Sequence, residues 1–304
     1  MSSQTRLDFA YKNARKIEFD SQSKFILFSD CHRGDASFAD DFANNRNLYF
    51  HALNHYYKNN FDYIELGDGD ELWENLFFSS IFEANKNVYL LMQKFFTDKK
   101  LHLIYGNHDL VYRDQKVVEK NLATYFEPKT GLKTPLFPNI KINEAIVLFN
   151  KTTRQELFLT HGHQADFMNS VAWKINRFLV RILWKPLQIW GIKDPTSPAK
   201  NYTELIKVER RIKQWIINNG NKITITGHTH RPRFPKPGQE TINYFNVGSC
   251  ESPRSITGIE IFEGQIALVK WFIDTTDDGF LQIVKEYVEN PEFIVNYKTI
   301  IKIV

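Results

Sequence analysis

Five short clusters of histidine, carboxylate and amide side chains occur in this sequence, each directly after an apolar run. They are Asp30-Cys31-His32, Gly67-Asp68, Gly106-Asn107-His108-Asp109, His161-Gly162-His163 and Gly227-His228-Thr229-His230. In an extended backbone, alternate side chains point the same way, so His228 and His230 can face one point. Mixed carboxylate, imidazole and amide ligands suit transition ions such as Mn, Fe and Zn. The clusters therefore predict a metal site, if the fold brings them together.

Strands and helices that alternate along the chain are expected to position these clusters. Apolar runs predict buried strands before the first three clusters, at residues 24–28, 61–66 and 101–105. Helical spacing of apolar side chains predicts helices between them, at residues 40–59 and 78–97. In α/β sheets, ligands bind outside the carboxyl ends of the strands, which is where these clusters stand. A single carboxylate can bridge two ions, and Asp68 is the candidate because it follows the middle strand.

The rest of the chain shows further strand and helix patterns. Apolar runs predict a hairpin and then closing antiparallel strands: 145–149 with 156–160, followed by 244–249, 258–262 and 267–272. Residues 202–218 predict a helix that Gly220 closes. Residues 1–20 predict a loose helix or arm, and residues 281–304 a short helix or an irregular C-terminal arm. We expect the whole chain, residues 1–304, to form a single domain.

Composition and charge narrow the class of protein. The chain has 304 residues, of which 42% are hydrophobic, enough for a large core. Its 39 basic and 35 acidic residues give a net charge of +4, which does not indicate a nucleic-acid partner. Only two cysteines occur, which suits a reducing compartment. With no apolar run of 18 residues and no apolar leader, we expect a cytoplasmic protein without a membrane span.

The order and form of the five clusters resemble those of the calcineurin-like metallophosphoesterases, over roughly residues 24–262. The resemblance implies an α/β (α+β) fold, a four-layer αββα sandwich of two mixed β-sheets flanked by helices. It also implies two divalent transition-metal ions, with Mn²⁺ preferred and Fe or Zn as alternatives. The ligands it implies fall into two sets that share one carboxylate: Asp30, His32, Asp68 and His230 for the first ion, and Asp68, Asn107, His161 and His228 for the second.

The chemistry that the resemblance implies is hydrolysis of a phosphoester. Two ions about 3.5–4 Å apart can clamp the attacking and leaving oxygens of an in-line displacement, and a hydroxide that bridges them is a nucleophile at neutral pH. His108 would protonate the leaving oxygen or stabilise charge on the phosphate, with Asp109 orienting its ring. His163 is left out of the ligand set as a loop histidine.

Two stretches resemble a narrower group, the UDP-2,3-diacylglucosamine pyrophosphohydrolases. The residues Gly67 to Trp73 are similar to the GD-x-x-E-x-W stretch of that group, and Arg231-Pro232 follow the last cluster. This similarity makes Glu71, Trp73 and Arg231 candidates for substrate contact. His108 departs from the group, which typically has arginine there. Arg33 and Asp35 stand beside the first ligands, where they either contact substrate or only satisfy a turn.

An insertion between the fourth and fifth clusters, residues 164–200, also matches that group, in which it forms a helical lid that holds acyl chains. Here its apolar side chains recur at helical spacing, opposite basic residues. A basic amphipathic helix with tryptophans can hold a lipid-like substrate or contact the inner face of a membrane, through residues 170–190. Alternatively, its apolar face only caps the core.

Four functions are compatible with these patterns. The leading one is a dinuclear-metal-dependent phosphoester hydrolase that acts on a phosphodiester or pyrophosphate bond. Its substrate would be a phosphorylated small molecule, or a lipid-linked or nucleotide-sugar compound. A serine/threonine phosphoprotein phosphatase and a nuclease are alternatives. A binding scaffold with a degraded metal site is the non-enzyme alternative, although such scaffolds lose ligands or the GNH histidine, and this chain keeps them.

Overall fold

The computed structural model describes residues 1–166, Val180 and residues 202–299. Its α-helices in this part of the chain are α1 (Ser3–Lys12), α2 (Arg46–Lys58), α3 (Phe78–Ala84), α4 (Lys86–Thr97), α5 (Gln115–Leu122) and α6 (Tyr202–Asn218). Its strands are β1 (Arg15–Phe19), β2 (Phe25–Phe28), β3 (Asp62–Leu66), β4 (Leu101–Ile104), β5 (Thr124–Glu127), β6 (Leu132–Pro135), β7 (Ile142–Asn143), β8 (Ala145–Asn150), β9 (Glu156–Thr160), β10 (Ile223–Thr226), β11 (Tyr244–Asn246), β12 (Ser255–Phe262), β13 (Gln265–Thr275) and β14 (Leu281–Phe293).

Most of the strands form two mixed sheets. The five-stranded sheet has the order β1-β8-β9-β10-β11, in which only β8 and β9 pair antiparallel. The seven-stranded sheet has the order β14-β13-β12-β2-β3-β4-β7. Its strands from β2 to β7 are parallel, and β12, β13 and β14 are antiparallel to their neighbours. Strands β5 and β6 form a separate hairpin.

The two sheets pack face to face, because apolar side chains of both belong to one buried cluster. Leu27 and Ile64 of the seven-stranded sheet lie in it with Leu148, Leu159 and Ile225 of the five-stranded sheet. Each central strand packs against the other sheet on one face and against helices on the other. Burial on both faces explains why these strands are continuously apolar rather than alternating.

Helices cover both outer faces. On the seven-stranded sheet, Tyr49 of α2 packs against Phe28, with ring centroids 5.6 Å apart. On the five-stranded sheet, Trp215 of α6 packs against Phe158, with ring centroids 5.0 Å apart, and Leu7 of α1 joins the same cluster. The layers are therefore helices, sheet, sheet and helices, which confirms the αββα sandwich.

This arrangement places the five polar clusters at one edge of the sandwich. Strands β2, β3 and β4 are parallel neighbours, so the chain leaves all three at the same end. Strands β9 and β10 are likewise parallel neighbours in the facing sheet. Each cluster directly follows one of these five strands, and the fold brings their carboxyl ends together between the sheets.

Several expectations about single elements need correction. Residues 281–304 were expected to form a short helix or irregular arm, but Leu281–Phe293 form strand β14, which pairs with β13. In residues 1–20 the expected helix forms as α1, but Arg15–Phe19 form strand β1 rather than part of an arm. Strand β11 is parallel to β10, not antiparallel. For β1, β11 and β14 a pairing strand elsewhere in the chain decides the structure, and local periodicity does not carry that information.

Other expectations are confirmed or stay predictions. The antiparallel hairpin of β8 and β9 and the helix over residues 202–218 are confirmed. Of the predicted lid at residues 164–200, only residues 164–166 and Val180 are described, so the rest of it, with the proposed membrane contact at 170–190, lies outside the described residues. In the part of the chain that the structure describes, no helix is both long enough and apolar enough to cross a membrane.

Candidate metal centre

The first group of candidate ligands consists of Asp30, His32 and His230, which follow β2 and β10. One ligand atom from each lies within 4.8 Å of the others. The Nε2 atom of His230 is 3.1 Å from Oδ1 of Asp30, and Nε2 of His32 is 3.9 Å from the same oxygen. Asp30 is fully buried, so its carboxylate contacts the other residues of this group and not solvent.

The second group consists of Asp68, His161 and His228, which follow β3, β9 and β10. Their ligand atoms also lie within 4.8 Å of one another. The Nε2 atom of His161 is 3.1 Å from Oδ2 of Asp68 and 3.2 Å from Oδ1 of Asn107. The structure thus brings Asn107 to this second group as well.

Asp68 lies between the two groups. Its Oδ2 atom is 3.1 Å from Nε2 of His161 in the second group and 3.7 Å from Nε2 of His32 in the first. Its other oxygen, Oδ1, accepts a hydrogen bond from the backbone N–H of His108, at 2.8 Å. This carboxylate is therefore positioned to serve both groups at once.

The tautomers of two histidines show that these residues fit a metal. His161 donates its Nδ1 hydrogen to the carbonyl oxygen of Leu66, at 2.8 Å, and Nδ1 of His32 lies 2.8 Å from Oε2 of Glu71. With Nδ1 as the donor, the neutral form of each ring has its lone pair on Nε2, and this is the form that binds a metal. Nε2 of His32 is buried without a hydrogen-bond partner, and Nε2 of His161 faces oxygen acceptors. Lone pairs that face carboxylates repel them, and a cation between them removes that repulsion.

Electrostatics keep the central carboxylates ionised. Burial raises the pKa of Asp30, but His230 and His161 outweigh burial and lower that pKa to about 2. The pKa of Asp68 is lowered well below its usual value, because His161 and His108 likewise outweigh burial. Both carboxylates are therefore charged at neutral pH, the form in which they bind a metal.

The backbone at the candidate ligands is strained. Asp30, His32, Asp68, His228 and His230 all have left-handed φ angles, of 52°, 46°, 50°, 67° and 53°. Such a conformation costs about 1–3 kcal/mol for a residue with a side chain, and it is found where function requires it. All five residues lie just after a strand end, where the chain turns.

Glycine at position 106 permits a close approach between two clusters. A Cβ atom at Gly106 would lie 2.1 Å from Oδ1 of Asp68 and 2.6 Å from its backbone nitrogen. Gly227 plays the same part between β10 and β2, because a Cβ atom there would lie 2.5 Å from Oδ2 of Asp30. The glycines in these clusters therefore let the backbone come within reach of the carboxylates.

Replacement of Gly106 by alanine is expected to displace Asp68 and to lower metal affinity by about 10–100-fold, the range typical when a group that supports a ligand is lost. Elemental analysis of the purified protein, with thermal unfolding alongside it, measures the effect. Gly238→Ala controls for backbone strain alone: a Cβ atom there meets nothing within 4 Å, but the φ of 80° strains alanine, so stability should fall while metal content stays unchanged. A Gly106→Ala protein with full metal content and activity would contradict this account of the site.

His108 lies beside the first group, where Glu71 and Trp73 hold its ring. Its Nδ1 atom is 2.6 Å from Oε2 of Glu71, and the Trp73 ring stacks on it with centroids 4.2 Å apart and planes 19° apart. The same Glu71 oxygen contacts Nδ1 of His32. One buried carboxylate thus links a candidate metal ligand to the candidate proton donor.

The expectation that Asp109 orients His108 is wrong. Asp109 accepts hydrogen bonds from the backbone N–H groups of Gly106, at 2.6 Å, and Gly69, at 2.9 Å. It therefore ties the turn after β4 to the turn after β3. Glu71, which was expected only to contact substrate, holds the ring instead, since the GD-x-x-E spacing brings its carboxylate back towards the third cluster.

The acid–base state of His108 follows from this contact. Burial by itself lowers the pKa of His108, but the carboxylates of Glu71 and Asp68 outweigh it and raise the pKa to about 10. The imidazole is consequently protonated at neutral pH. A protonated imidazole beside two candidate metal ligands can donate a proton to a leaving oxygen.

The remaining substrate candidates differ in their surroundings. Arg33 is 2% exposed, and its guanidinium bonds both oxygens of Glu65 and Oδ1 of Asp70, so the structure contradicts a substrate contact there. Asp35 accepts a hydrogen bond from the backbone N–H of Ser37 and also lines a small cleft next to the site. Substrate contacts by Asp35, Trp73 and Arg231 stay predictions.

Two carboxylates near the centre were missed. Oδ2 of Asp166 lies 3.4 Å from Nε2 of His228, and Oε2 of Glu251 lies 3.5 Å from Nδ1 of His230. Asp166 follows the fourth cluster closely, so its nearness in sequence was a usable signal. Glu251 follows strand β11 without any motif around it, and only the pairing of the sheets brings it to His230.

The chain is similar to one protein family and to several solved structures. A family model described as calcineurin-like phosphoesterase matches residues 23–232. No curated protein matches the sequence. Similar solved structures include a cold-active protein-tyrosine phosphatase of a psychrophilic Shewanella species, 14% identical with a TM-score of 0.40, over 90% of this chain and 83% of that one. A mutant of a cold-active protein-tyrosine phosphatase is 15% identical with the same coverage and TM-score. Vps29 of Chaetomium thermophilum is 8% identical with a TM-score of 0.35, over 88% of this chain and 96% of that one.

Proposed function

This chain belongs to the calcineurin-like phosphoesterase family, and we propose that it uses two divalent ions to hydrolyse a phosphodiester or pyrophosphate bond. The family makes it a metal-dependent phosphoester hydrolase. The finer statement, two ions and a diester or pyrophosphate substrate, is the proposal. The observation that carries it is the position of Asp68 Oδ2 between Nε2 of His32 and Nε2 of His161.

The ligand sets that we propose divide around that carboxylate. Asp30, His32 and His230 would hold one ion, and His161 and His228 the other. Asp68 would contribute to both, and Asn107 to the second. Two bound divalent ions supply charge stabilisation for the phosphoryl oxygens and lower the pKa of bound water. Mn²⁺ is the ion that we propose, because mixed oxygen and imidazole ligands suit it.

The protein's own groups orient the substrate and move the proton. His108 is protonated at neutral pH and lies at the edge of the first group, so it can donate its proton to the leaving oxygen as the ester bond breaks. The carboxylate of Glu71 holds the ring through Nδ1, which leaves Nε2 to face the substrate. The stacked Trp73 ring prevents the imidazole from turning away.

A lipid-linked or nucleotide-sugar substrate is a further part of the proposal, and it rests on the sequence. The basic amphipathic pattern at residues 164–200 supports a lid over an apolar substituent, or contact with the inner face of a membrane at residues 170–190. We also propose a cytoplasmic location, supported by Cys31 and Cys250 as free, buried thiols.

A panel of metals and esters tests the function. We expect purified protein to bind about two transition ions per chain and to hydrolyse bis(4-nitrophenyl) phosphate with Mn²⁺. A chelator should abolish turnover, and added Mn²⁺ should restore it. Fe²⁺, Zn²⁺ and Ni²⁺ belong in the panel, with phosphomonoesters and nucleotide-sugar pyrophosphates as other substrates. A metal-loaded protein that hydrolyses none of these would end the proposal.

A further inference from the structure

A groove with about 820 Å³ of open space lies beside the second group of candidate ligands. We call it the arginine groove; its polar lining consists of Arg6, Tyr105, Arg113, Glu144, His163 and Gln164. His163 connects it to the metal centre, because its ring centroid is 5.5 Å from that of His161. Tyr105 lies on the same side, with its ring centroid 6.4 Å from that of His163. These contacts place one wall of the groove against the second group of candidate ligands.

Two guanidinium groups from different elements line the groove. Arg113 ends the 3-10 turn Leu110–Arg113, which follows the cluster that contains His108. Its side chain is exposed and forms no hydrogen bond or ion pair with the described residues. Arg6 of α1 is half-buried, and its Nε donates to the carbonyl oxygen of Gln164, at 2.8 Å. Arg6 is thus a fixed cation, and Arg113 a cation available to a ligand.

The acidic groups near the groove offset these charges only in part. Glu144 also lines it and accepts a hydrogen bond from Nε2 of Gln164, at 3.4 Å. Burial raises the pKa of the Glu144 carboxyl, while Arg113 acts to lower it. The carboxylate of Asp166 lies near Arg6 and attracts its guanidinium group. Arg6 is offset by Asp166, whereas Arg113 forms no ion pair with a described residue, so the part of the groove around Arg113 attracts anions.

A cleft beside the first group of candidate ligands has the reverse charge. This small cleft is lined by acidic side chains next to His32: Asp35, Asp40, Asp41, Glu71, Glu74 and Glu251. A negatively charged substituent on the substrate would be repelled from this cleft. The charges of the acidic cleft and of the arginine groove therefore favour one direction for an anionic substituent of the substrate, from the metal centre towards Arg113.

We propose that the arginine groove binds a second anionic group of the substrate, a phosphate or a carboxylate, with Arg113 as its principal contact. The proposal rests on the function proposed above and names the class of substrate. That class is phosphoesters whose substituent carries its own negative charge. An arginine pairs with either anion through two parallel N–H donors, which explains why one contact accepts both.

Three matched esters test this inference with the metal-loaded full chain. Each is the 4-nitrophenyl ester of thymidine 5′-phosphate, and they carry a free 3′-hydroxyl, a 3′-phosphate or a 3′-succinate. All three release 4-nitrophenol from the same phosphorus, so only the remote group differs. We expect wild-type kcat/KM to be about tenfold higher for an anionic ester than for the hydroxyl compound, which corresponds to about 1.4 kcal/mol.

The variants locate the preference at one side chain. Arg113→Ala is expected to reduce the kcat/KM ratio between the anionic and hydroxyl esters to near one, and Arg113→Lys to keep part of it because the charge remains. Arg154→Ala is the matched control. Arg154 is an exposed arginine at the amino end of β9, whereas the candidate metal centre lies at the carboxyl end of that strand. It should keep both the ratio and the activity of the wild type.

The outcomes separate this inference from the function on which it rests. A preference for the phosphate or the succinate alone supports the groove and identifies the anion. No preference for either anion, or an unchanged ratio in Arg113→Ala, overturns the groove while hydrolysis of the hydroxyl ester upholds the function. Absence of hydrolysis of all three esters overturns the function and the groove together.

Discussion

Replacement of Asp68 by alanine should remove both metal ions together and lower kcat/KM for a phosphodiester by on the order of a thousandfold or more. Oδ2 of this carboxylate lies 3.1 Å from Nε2 of His161 and 3.7 Å from Nε2 of His32, so neither group of ligands is complete without it. Elemental analysis and steady-state kinetics on the same preparation measure the two losses.

A second aspartate on the same strand is the control. Asp62 begins β3 at its amino end, and its side chain is 28% exposed beside His102. Asp62→Ala should keep both ions and the wild-type activity. If Asp68→Ala lost a single ion and kept the other, its carboxylate would belong to one group only, and the proposed shared role would be wrong.

The second large effect is expected from His108. His108→Ala should lower kcat by about 10²–10⁴-fold, the usual contribution of a positioned acid, while the metal content stays near that of the wild type. The expectation follows from its position, since the ring contacts His32 edge-on and His108 groups with His32 and Glu71, apart from the carboxylates of Asp30 and Asp68. His51→Ala, an exposed histidine on α2, is the control.

The partner of His108 provides a pH-dependent readout. Glu71 contributes to raising the pKa of His108 to about 10, so Glu71→Gln should lower that pKa. His108 acts as a protonated acid, and its activity is lost as pH rises through its pKa. The alkaline limb of the kcat profile should therefore move to lower pH in Glu71→Gln.

A double variant tests whether the two residues act together. Residues that work as a unit are strongly non-additive, so Glu71→Gln should add little to His108→Ala. Because Glu71 also contacts His32, metal content has to be measured in each variant. A full, additive loss in the double variant would show that Glu71 acts through the metal ligand rather than through His108.

Much of the architecture around the site is readable from the sequence. Strands β2, β3 and β4 are buried on both faces, so their apolar runs are continuous, and the chain must turn at their polar ends. The clusters at those ends contain glycine beside a carboxylate or histidine, which allows the tight approach. Apolar runs, turn residues and ligand types are all local features of the sequence, and together they predict where the candidate ligands meet.

Local information fails for the outer parts of the fold. Strand β14 alternates poorly and exposes many of its side chains, so its sequence resembles an irregular arm. Its structure comes from the hydrogen bonds it makes along β13, a partner that no local pattern identifies. The parallel pairing of β11 with β10 depends in the same way on a strand distant in the chain.

The contacts within the site divide along the same line. The sequence alone determined which residue types stand at the strand ends, because each motif is a few residues long. The tertiary structure alone decided that Glu71 and not Asp109 reaches His108. It also decided that Arg33 is enclosed by Glu65 and Asp70, and that Arg113 faces a groove beside His163. Side-chain direction and neighbours depend on how the two sheets pack, and that packing joins residues far apart in the chain.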